Sequence, residues 1–243
     1  MENTRAKTTR NSLILLLTAT IWGMAFVSQS KGMDYMHPFT FNGVRSLIGA
    51  AGILVYILIS RKIAGDKAAK LDWKLNVRAG LLCGIFLTIA STLQQFGIKY
   101  TSVGKAGFIT TLYIIFVPMF GVFLKKKVAP VVWAAAGMAA VGMYLLCMTE
   151  SLRLGAGDIM VFLCAIAFAI QIMTVDHYAA RIDGAVVSCI QFTVCGVVCC
   201  IGALIWGQPT FGQLQEGLGA LLYAGVLSCG VGYTLQIVGQ KGL

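Results

Sequence analysis

The stretch Thr92–Tyr100, TLQQFGIKY, returns near the end of the chain as Thr234–Gly242, TLQIVGQKG. Aligning the two gives five identities in eight positions and sets Gln94 opposite Gln236. Short matches arise easily in apolar sequence because few residue types occur there, so a repeat needs further support. An offset of 146 supplies it, since Arg45 then falls opposite another large polar residue, Gln191.

The composition is that of a membrane protein. Of the 243 residues, 58% are hydrophobic and only 12% are charged, far from the usage of soluble domains. A membrane-spanning helix needs about 20 mostly apolar residues. The sequence therefore predicts eight spans, at about 12–30, 38–60, 77–98, 102–124, 129–147, 156–175, 184–206 and 216–240.

The two related stretches enclose an odd number of spans. Five predicted spans, the fourth to the eighth, follow Lys99 and end at Lys241. An odd count means that the second unit enters the membrane in the opposite direction from the first. Inverted repeats of this kind recur in secondary transporters, which bind solutes at the midplane between the two halves. We therefore predict an all-α polytopic membrane protein built from an inverted repeat of five-helix units.

The positive charge is concentrated on one side of the predicted membrane. The formal net charge is +10, a value that by itself invites comparison with nucleic-acid-binding proteins. With the N-terminus inside, however, only Lys31, Lys99, Lys105 and Arg153 lie outside, and Arg45 lies within a span; the other fourteen of the nineteen basic residues lie inside. This is the distribution of the positive-inside rule. We expect a cytoplasmic N-terminus, a multi-pass protein of the plasma (cell inner) membrane, and no nucleic-acid partner.

Four segments carry a resemblance to a known family. They are IWGMAFVSQSKG in the first span, HPFTFNGVRSLIGA around the second, IKYTSVGKAGFITTLYIIFVPMFG around the fourth, and GAGDIMVFLCAIAFAIQ at the sixth. In this order and spacing they resemble the EamA-like transporters of the drug/metabolite transporter superfamily. The resemblance implies a ten-helix secondary transporter that moves small organic metabolites or drugs without ATP.

The resemblance also implies a division of the chain. Residues 1–147 correspond to a first repeat of five helices, and residues 148–243 to a second repeat of which only three are present. Eight helices of an expected ten suggest a truncated second repeat, because an unpartnered half-repeat would expose faces meant for packing. The alternative to a transporter is therefore a non-transporting membrane component or an inactive fragment of such a transporter.

Arg45 is the charged residue that lies deepest within a predicted span. It follows Pro38 by seven residues, or about 10 Å along a helix. An unpaired charge at the bilayer centre costs about 2.5–3.5 kcal/mol on insertion scales. This cost favours a polar cavity or a partner for Arg45, although a guanidinium at that depth could also reach toward the headgroups.

Other polar and aromatic side chains within the spans complete the candidate site. Gln94 and Gln236 are equivalent under the repeat, and both are expected at a site between the halves; the competing interpretation is hydrogen bonding between neighbouring helices. The remaining candidates share either an amide or an aromatic ring with a polar group. The full set of substrate-binding candidates is Trp22, Asn42, Arg45, Gln94, Tyr113, Gln171, Gln191, Tyr233 and Gln236.

Enzymatic chemistry is not expected. The stretch Gly155–Asp158, GAGD, matches the motif of intramembrane aspartyl proteases, but no second acid lies within a span to form the required pair. The sequence also lacks a phosphate-binding G-x-x-x-x-G-K-[ST] loop and a metal-ligand spacing. We predict no catalytic residues, no metal and no cofactor. The expected partners are a small-molecule substrate and the lipid bilayer, with a homodimer left open.

Overall fold

The computed structural model describes residues 2–65, 71–125, 128–147, 155–178 and 180–240, and within these ranges the chain forms only helices and connecting turns. The all-α class is therefore confirmed. The helices are α1 (Glu2–Gly32), α2 (Pro38–Ala64), α3 (Trp73–Tyr100), α4 (Val103–Thr111), α5 (Tyr113–Phe123), α6 (Pro130–Cys147), α7 (Ala156–Tyr178), α8 (Gly184–Gly202), α9 (Phe211–Glu216), α10 (Leu218–Leu222) and α11 (Tyr233–Gln240).

Seven stretches within the described residues are long and apolar enough to cross a membrane. They correspond to seven of the eight predicted spans: Thr8–Gly32, Pro38–Ala64, Trp73–Tyr100, Val103–Phe123, Ala156–Tyr178, Gly184–Gly207 and Leu218–Gln236. The fifth prediction coincides with α6, whose apolar part, Pro130–Gly142, is shorter. The second predicted repeat begins with residues 148–154, which lie outside the described residues. Lys241, in the second of the two related stretches, also lies outside them.

Two of the helices begin with the same capping arrangement. The His37 Nδ1 atom accepts a hydrogen bond of 3.3 Å from the Phe39 amide at the start of α2, where Pro38 occupies the first turn as is usual. Asp183 Oδ1 accepts from the Ala185 amide at 3.0 Å at the start of α8. Each cap satisfies an amide that the first helical turn leaves without a partner.

Three spans depart from regular α-helix. The span that begins with α8 ends in a π-helical turn at Ala203–Gly207. The fourth is interrupted at Leu112, between α4 and α5, ahead of Pro118, which lies inside α5. The last consists of α10, a π-helical segment at Tyr223–Gly232, and α11. Such π-helical turns in α-helices are frequent at functional sites, and here the segment includes three glycines, Gly225, Gly230 and Gly232. We call α10, this segment and α11 the last span.

An extensive contact of the bundle joins α2 and α8, which run in opposite directions. Gly202 lies against the Phe39 ring, Gly196 against Leu47, and the Cys189 thiol donates to the Ala50 carbonyl at 3.6 Å. On one side α3 packs against both α7 and α8, and on the other side the last span packs against α1 and α2. Close approach through glycine is the usual way in which membrane helices pack.

Polar contacts join helices at each end of the bundle. Near the α3–α4 junction, the buried Asp158 of α7 accepts hydrogen bonds from the Thr101 hydroxyl and the Gly155 amide, and lies 3.9 Å from the Lys105 Nζ atom. At the opposite end, Asp183 lies 3.6 Å from the Arg61 guanidinium. The Asp158 carboxylate thus caps its helix, as expected of an acid in a first turn.

Candidate functional site

Arg45 is buried between helices. Its side chain is only 6% exposed, its Nε atom donates a 2.9 Å hydrogen bond to Asn42 Oδ1, and its guanidinium lies 5.5 Å from the centre of the Phe41 ring. Asn42 is fixed in turn because its Nδ2 atom donates to the Ser91 carbonyl of α3 at 2.9 Å. Of the two interpretations offered by the sequence, these contacts match a protein-lined environment rather than headgroup contact.

A polar layer formed by α2, α3 and α8 adjoins Arg45 and Asn42. The Cys195 thiol lies 3.5 Å from the Ser46 hydroxyl and 3.3 Å from the Ser91 hydroxyl. The backbone of Arg45 also lies close to the last span, because a Cβ atom added to Gly225 would lie 3.1 Å from the Arg45 carbonyl oxygen. Arg45 and its neighbours therefore lie where the second, third, seventh and last spans come together.

Aromatic rings border the same region on the side of α1. Tyr233 lies 5.0 Å from Trp22 and 4.7 Å from Phe192 between ring centres. The Trp22 Nε1 atom donates to the Ser228 carbonyl at 3.2 Å. Tyr233 also packs against the buried cluster that contains Phe192 and Cys195 of α8. The structure thus brings the predicted residues Trp22 and Tyr233 into contact, and it places the half-buried Tyr113 at the start of α5.

The predicted glutamines occupy different helix contacts. Gln171 of α7 donates to Gln191 Oε1 of α8 at 2.9 Å. Gln94 is buried in α3 and donates to the Thr110 hydroxyl of α4 at 3.3 Å. Gln236 is half-buried on α11, a helix that packs against α1 and α8. Gln171 and Gln191 are therefore in direct contact, whereas Gln94 and Gln236 lie in separate helix contacts.

Several polar residues of this region were not among the sequence candidates. Ser46, Ser91 and Thr110 are all buried and all bond to candidate residues or to thiols near Arg45. Gln95 is fully buried, and its Nε2 atom donates to the Gln29 carbonyl at 3.1 Å. Small hydroxyl residues give little signal in apolar helices, since serine and threonine commonly bond to their own helix. Gln95, by contrast, adjoins Gln94 in the sequence and offered the same signal.

The described residues contain no group of three or more His, Cys, Asp or Glu side chains placed to hold a metal ion. Seven cysteines have described side chains, and all seven are free thiols. The side-chain groups described next to Arg45, those of Asn42, Ser46 and Ser91, are amide and hydroxyl groups.

Comparison with known proteins places these features in context. The model of the EamA-like transporter family matches residues 10–148 and again residues 155–243. A transporter of Archaeoglobus fulgidus is 30% identical over 171 residues, which cover 68% of this chain and 48% of that protein. The chain therefore matches about half the length of that relative.

Two further relatives match over most of the chain. The transporter YwfM of Bacillus subtilis is 25% identical over 236 residues, or 96% of this chain and 77% of its own length. A transporter of Clostridium kluyveri is 25% identical over 237 residues, or 91% of this chain and 74% of its own length. All three relatives are named as transporters.

Proposed function

This chain belongs to the EamA-like transporter family, and on that basis we propose that it moves a small organic solute by secondary transport, with alternating access between two inverted repeats. The observation that carries the proposal is a set of helix contacts that recurs between the halves.

The first recurring contact joins spans three and six, and again spans one and eight. A Cβ atom added to Gly97 would collide with Val161, and one added to Gly239 would lie 2.9 Å from Leu15. Gly239 is Gly97 shifted by 142, and Val161 is Leu15 shifted by 146, the offsets found in the sequence. A glycine thus meets an aliphatic side chain at equivalent places in both halves.

The second recurring contact joins spans three and seven, and again spans two and eight. A Cβ on Gly84 would lie 2.8 Å from Val194 Cβ, and one on Gly225 would lie 2.7 Å from Ile48 Cγ2. Val194 follows Ile48 by 146 residues, and Gly225 follows Gly84 by 141 residues, one fewer than the offset of 142 between Gln94 and Gln236. The capping bonds at the starts of α2 and α8 are related by the same offset of 146 residues, since Asp183 corresponds to His37 and Ala185 to Phe39.

Equivalent contacts in two halves supply the physical basis for alternating access. If each half makes the same contacts, exchanging their roles gives a second arrangement of similar energy that opens to the opposite side. The helices α2 and α8 correspond to each other in the two halves and are in contact, and Arg45 and its polar neighbours lie beside that contact. A solute bound there would be reached from either side in turn.

The experiment is solute equilibration across liposomes that contain the purified full chain. The liposomes are incubated with a defined mixture of organic acids, amines, amino acids, sugars and aromatic neutral compounds, without ATP. The trapped solutes are then measured by mass spectrometry. We expect a limited subset to equilibrate faster than in protein-free liposomes, and an excess of unlabelled solute inside to accelerate entry of the labelled form.

Liposomes that contain heat-denatured protein are the control for leakage. A uniform rise for all solutes would indicate a leak instead of selective transport. If every solute equilibrates at the protein-free rate, the transport proposal is wrong, and the chain acts as a non-transporting membrane component.

A further inference from the structure

We propose that the guanidinium of Arg45 binds the carboxylate of an organic anion whose apolar part lies against the Tyr233–Trp22 ring pair. The inference rests on the proposed function only in identifying this anion as the transported solute. Binding of the anion to Arg45 is a separate property and can be measured without transport.

The first argument is charge. Arg45 is buried about 10 Å along α2 from its first residue, and a charge in such surroundings requires a counter-charge or strong polar contacts. Within the described residues, no carboxylate lies within ion-pair distance of Arg45, and the buried Asp158 pairs with Lys105. None of the nine acidic residues of the chain lies in the middle of a predicted span.

The second argument is hydrogen-bonding capacity. A guanidinium carries five N–H donors in a planar fork. The structure assigns one of them, on Nε, to Asn42, and places the Phe41 ring 5.5 Å from the guanidinium carbon. Within the described residues, the structure gives no protein acceptor to the Nη atoms. A carboxylate would accept from two parallel N–H groups of such a fork, the geometry in which arginine binds best.

The third argument concerns the neighbouring groups. The groups next to Arg45 and Asn42 include the hydroxyls of Ser46 and Ser91, which are neutral donors and acceptors. These hydroxyls supply no counter-charge for the cation. The Tyr233 ring, together with Trp22 and Phe192, supplies an apolar surface, and Tyr233 packs against the same buried cluster as Cys195, the neighbour of Ser46. This combination fits an anion with an apolar part.

The probe is labelled benzoate, with benzamide as its uncharged isostere. Binding is measured at equilibrium on the detergent-solubilised full chain by scintillation proximity, and benzamide and chloride are tested as competitors. We expect saturable benzoate binding, with benzamide and chloride each competing at least about tenfold more weakly than unlabelled benzoate. Equal competition by benzamide, or no saturable binding, overturns the proposal, and equal competition by chloride shows a site for small inorganic anions instead.

Two substitutions test the assigned residue. We expect Arg45→Gln to weaken benzoate binding by about ten- to hundredfold while leaving competition by apolar neutral compounds unchanged. Arg45→Lys, which keeps the charge but loses the fork, should give an intermediate loss. Arg78→Gln makes the same change at an exposed position of α3 and should bind benzoate like the parent. If Arg45→Gln binds benzoate as tightly as the parent does, the proposal is overturned. If this variant does not fold, the relative affinity of the parent for benzoate and benzamide tests the anion site.

The liposome measurement separates this inference from the proposed function. If benzoate binds through Arg45 but no solute crosses the membrane, the anion site stands and the transport proposal fails. If other solutes cross selectively while benzoate does not bind, transport stands and the anion site fails.

Discussion

Gln94 and Gln236 are equivalent in the sequence, yet the structure sets them in different contacts. Gln94 donates to Thr110 in a buried contact between α3 and α4, and Gln236 is half-buried on α11. An amide that has a partner in one conformation can exchange it for a solute in another, so both remain candidates for a site between the halves.

Replacing either glutamine by Leu should weaken transport while leaving membrane abundance near the parental level. The change keeps side-chain volume but removes hydrogen bonding worth about 1–3 kcal/mol, which is roughly a five- to hundredfold loss in affinity. The measurement is the liposome rate for a solute that the parent transports. Gln215→Leu, at an exposed position of α9, is the control. Parental transport by both variants would assign the two amides to helix packing alone.

His37 is the residue at which stability should depend on pH. Its pKa is lowered from the ordinary value of about 6.5, first by partial burial and then by the positive charge of Lys99. Between the lowered folded value and about 6.5, the unfolded chain binds more protons than the folded chain, so stability falls as the pH drops through this window. Protonation also removes the Nδ1 acceptor of the Phe39 amide.

We expect His37→Asn to reduce the loss of melting temperature between about pH 7.5 and pH 5.5, because Asn keeps a helix cap that does not titrate. His177→Asn, at the exposed end of α7, changes the only other histidine and should behave like the parent. If the melting temperature of His37→Asn depends on pH as that of the parent does, His37 is not the source of the pH-dependent stability.

At the scale of the element, glycines decide how closely α2 approaches its neighbours. A Cβ atom on Gly49 would collide with the Cys229 side chain and lie 3.3 Å from the Gly225 carbonyl oxygen, whereas one on Gly52 would meet no atom within 4 Å. The two glycines belong to the same helix, so their helical propensities are directly comparable.

We expect Gly49→Ala to destabilise the protein by about 1–3 kcal/mol through overpacking, and Gly52→Ala to be neutral or to stabilise it by up to about 1 kcal/mol through helix propensity. Thermal unfolding of the purified variants in detergent measures both. If the two variants unfold at the same temperature, the last span does not approach α2 as closely as the structure indicates.

At the scale of the whole molecule, the basic residues predict the orientation of the bundle. Lys31, near the end of α1, lies on the predicted outer side, and Lys74, near the start of α3, on the inner side. A membrane-impermeant maleimide applied to intact cells should therefore label Lys31→Cys, and should label Lys74→Cys only after permeabilisation. The parent chain, with its native thiols, gives the background. Labelling of both variants in intact cells would overturn the orientation.

The sequence alone determined the class of the protein and predicted a spacing between two halves. Apolar segments of span length dictate membrane helices because every backbone amide in lipid must bond within its own segment. This constraint is local, so composition sufficed to predict seven spans that the structure also gives. The offsets of 142 and 146, read from Gln94 and Arg45, likewise required no coordinates.

Tertiary structure alone decided which polar groups meet. Gln171 and Gln191 lie 20 residues apart and bond to each other, while Arg45 joins Asn42 near the hydroxyls of Ser46 and Ser91. Nearly every face of a membrane helix is apolar, so periodicity does not mark the buried face as it does in a soluble helix. The approach of small residues sets helix rotation, and rotation determines which side chains converge on Arg45.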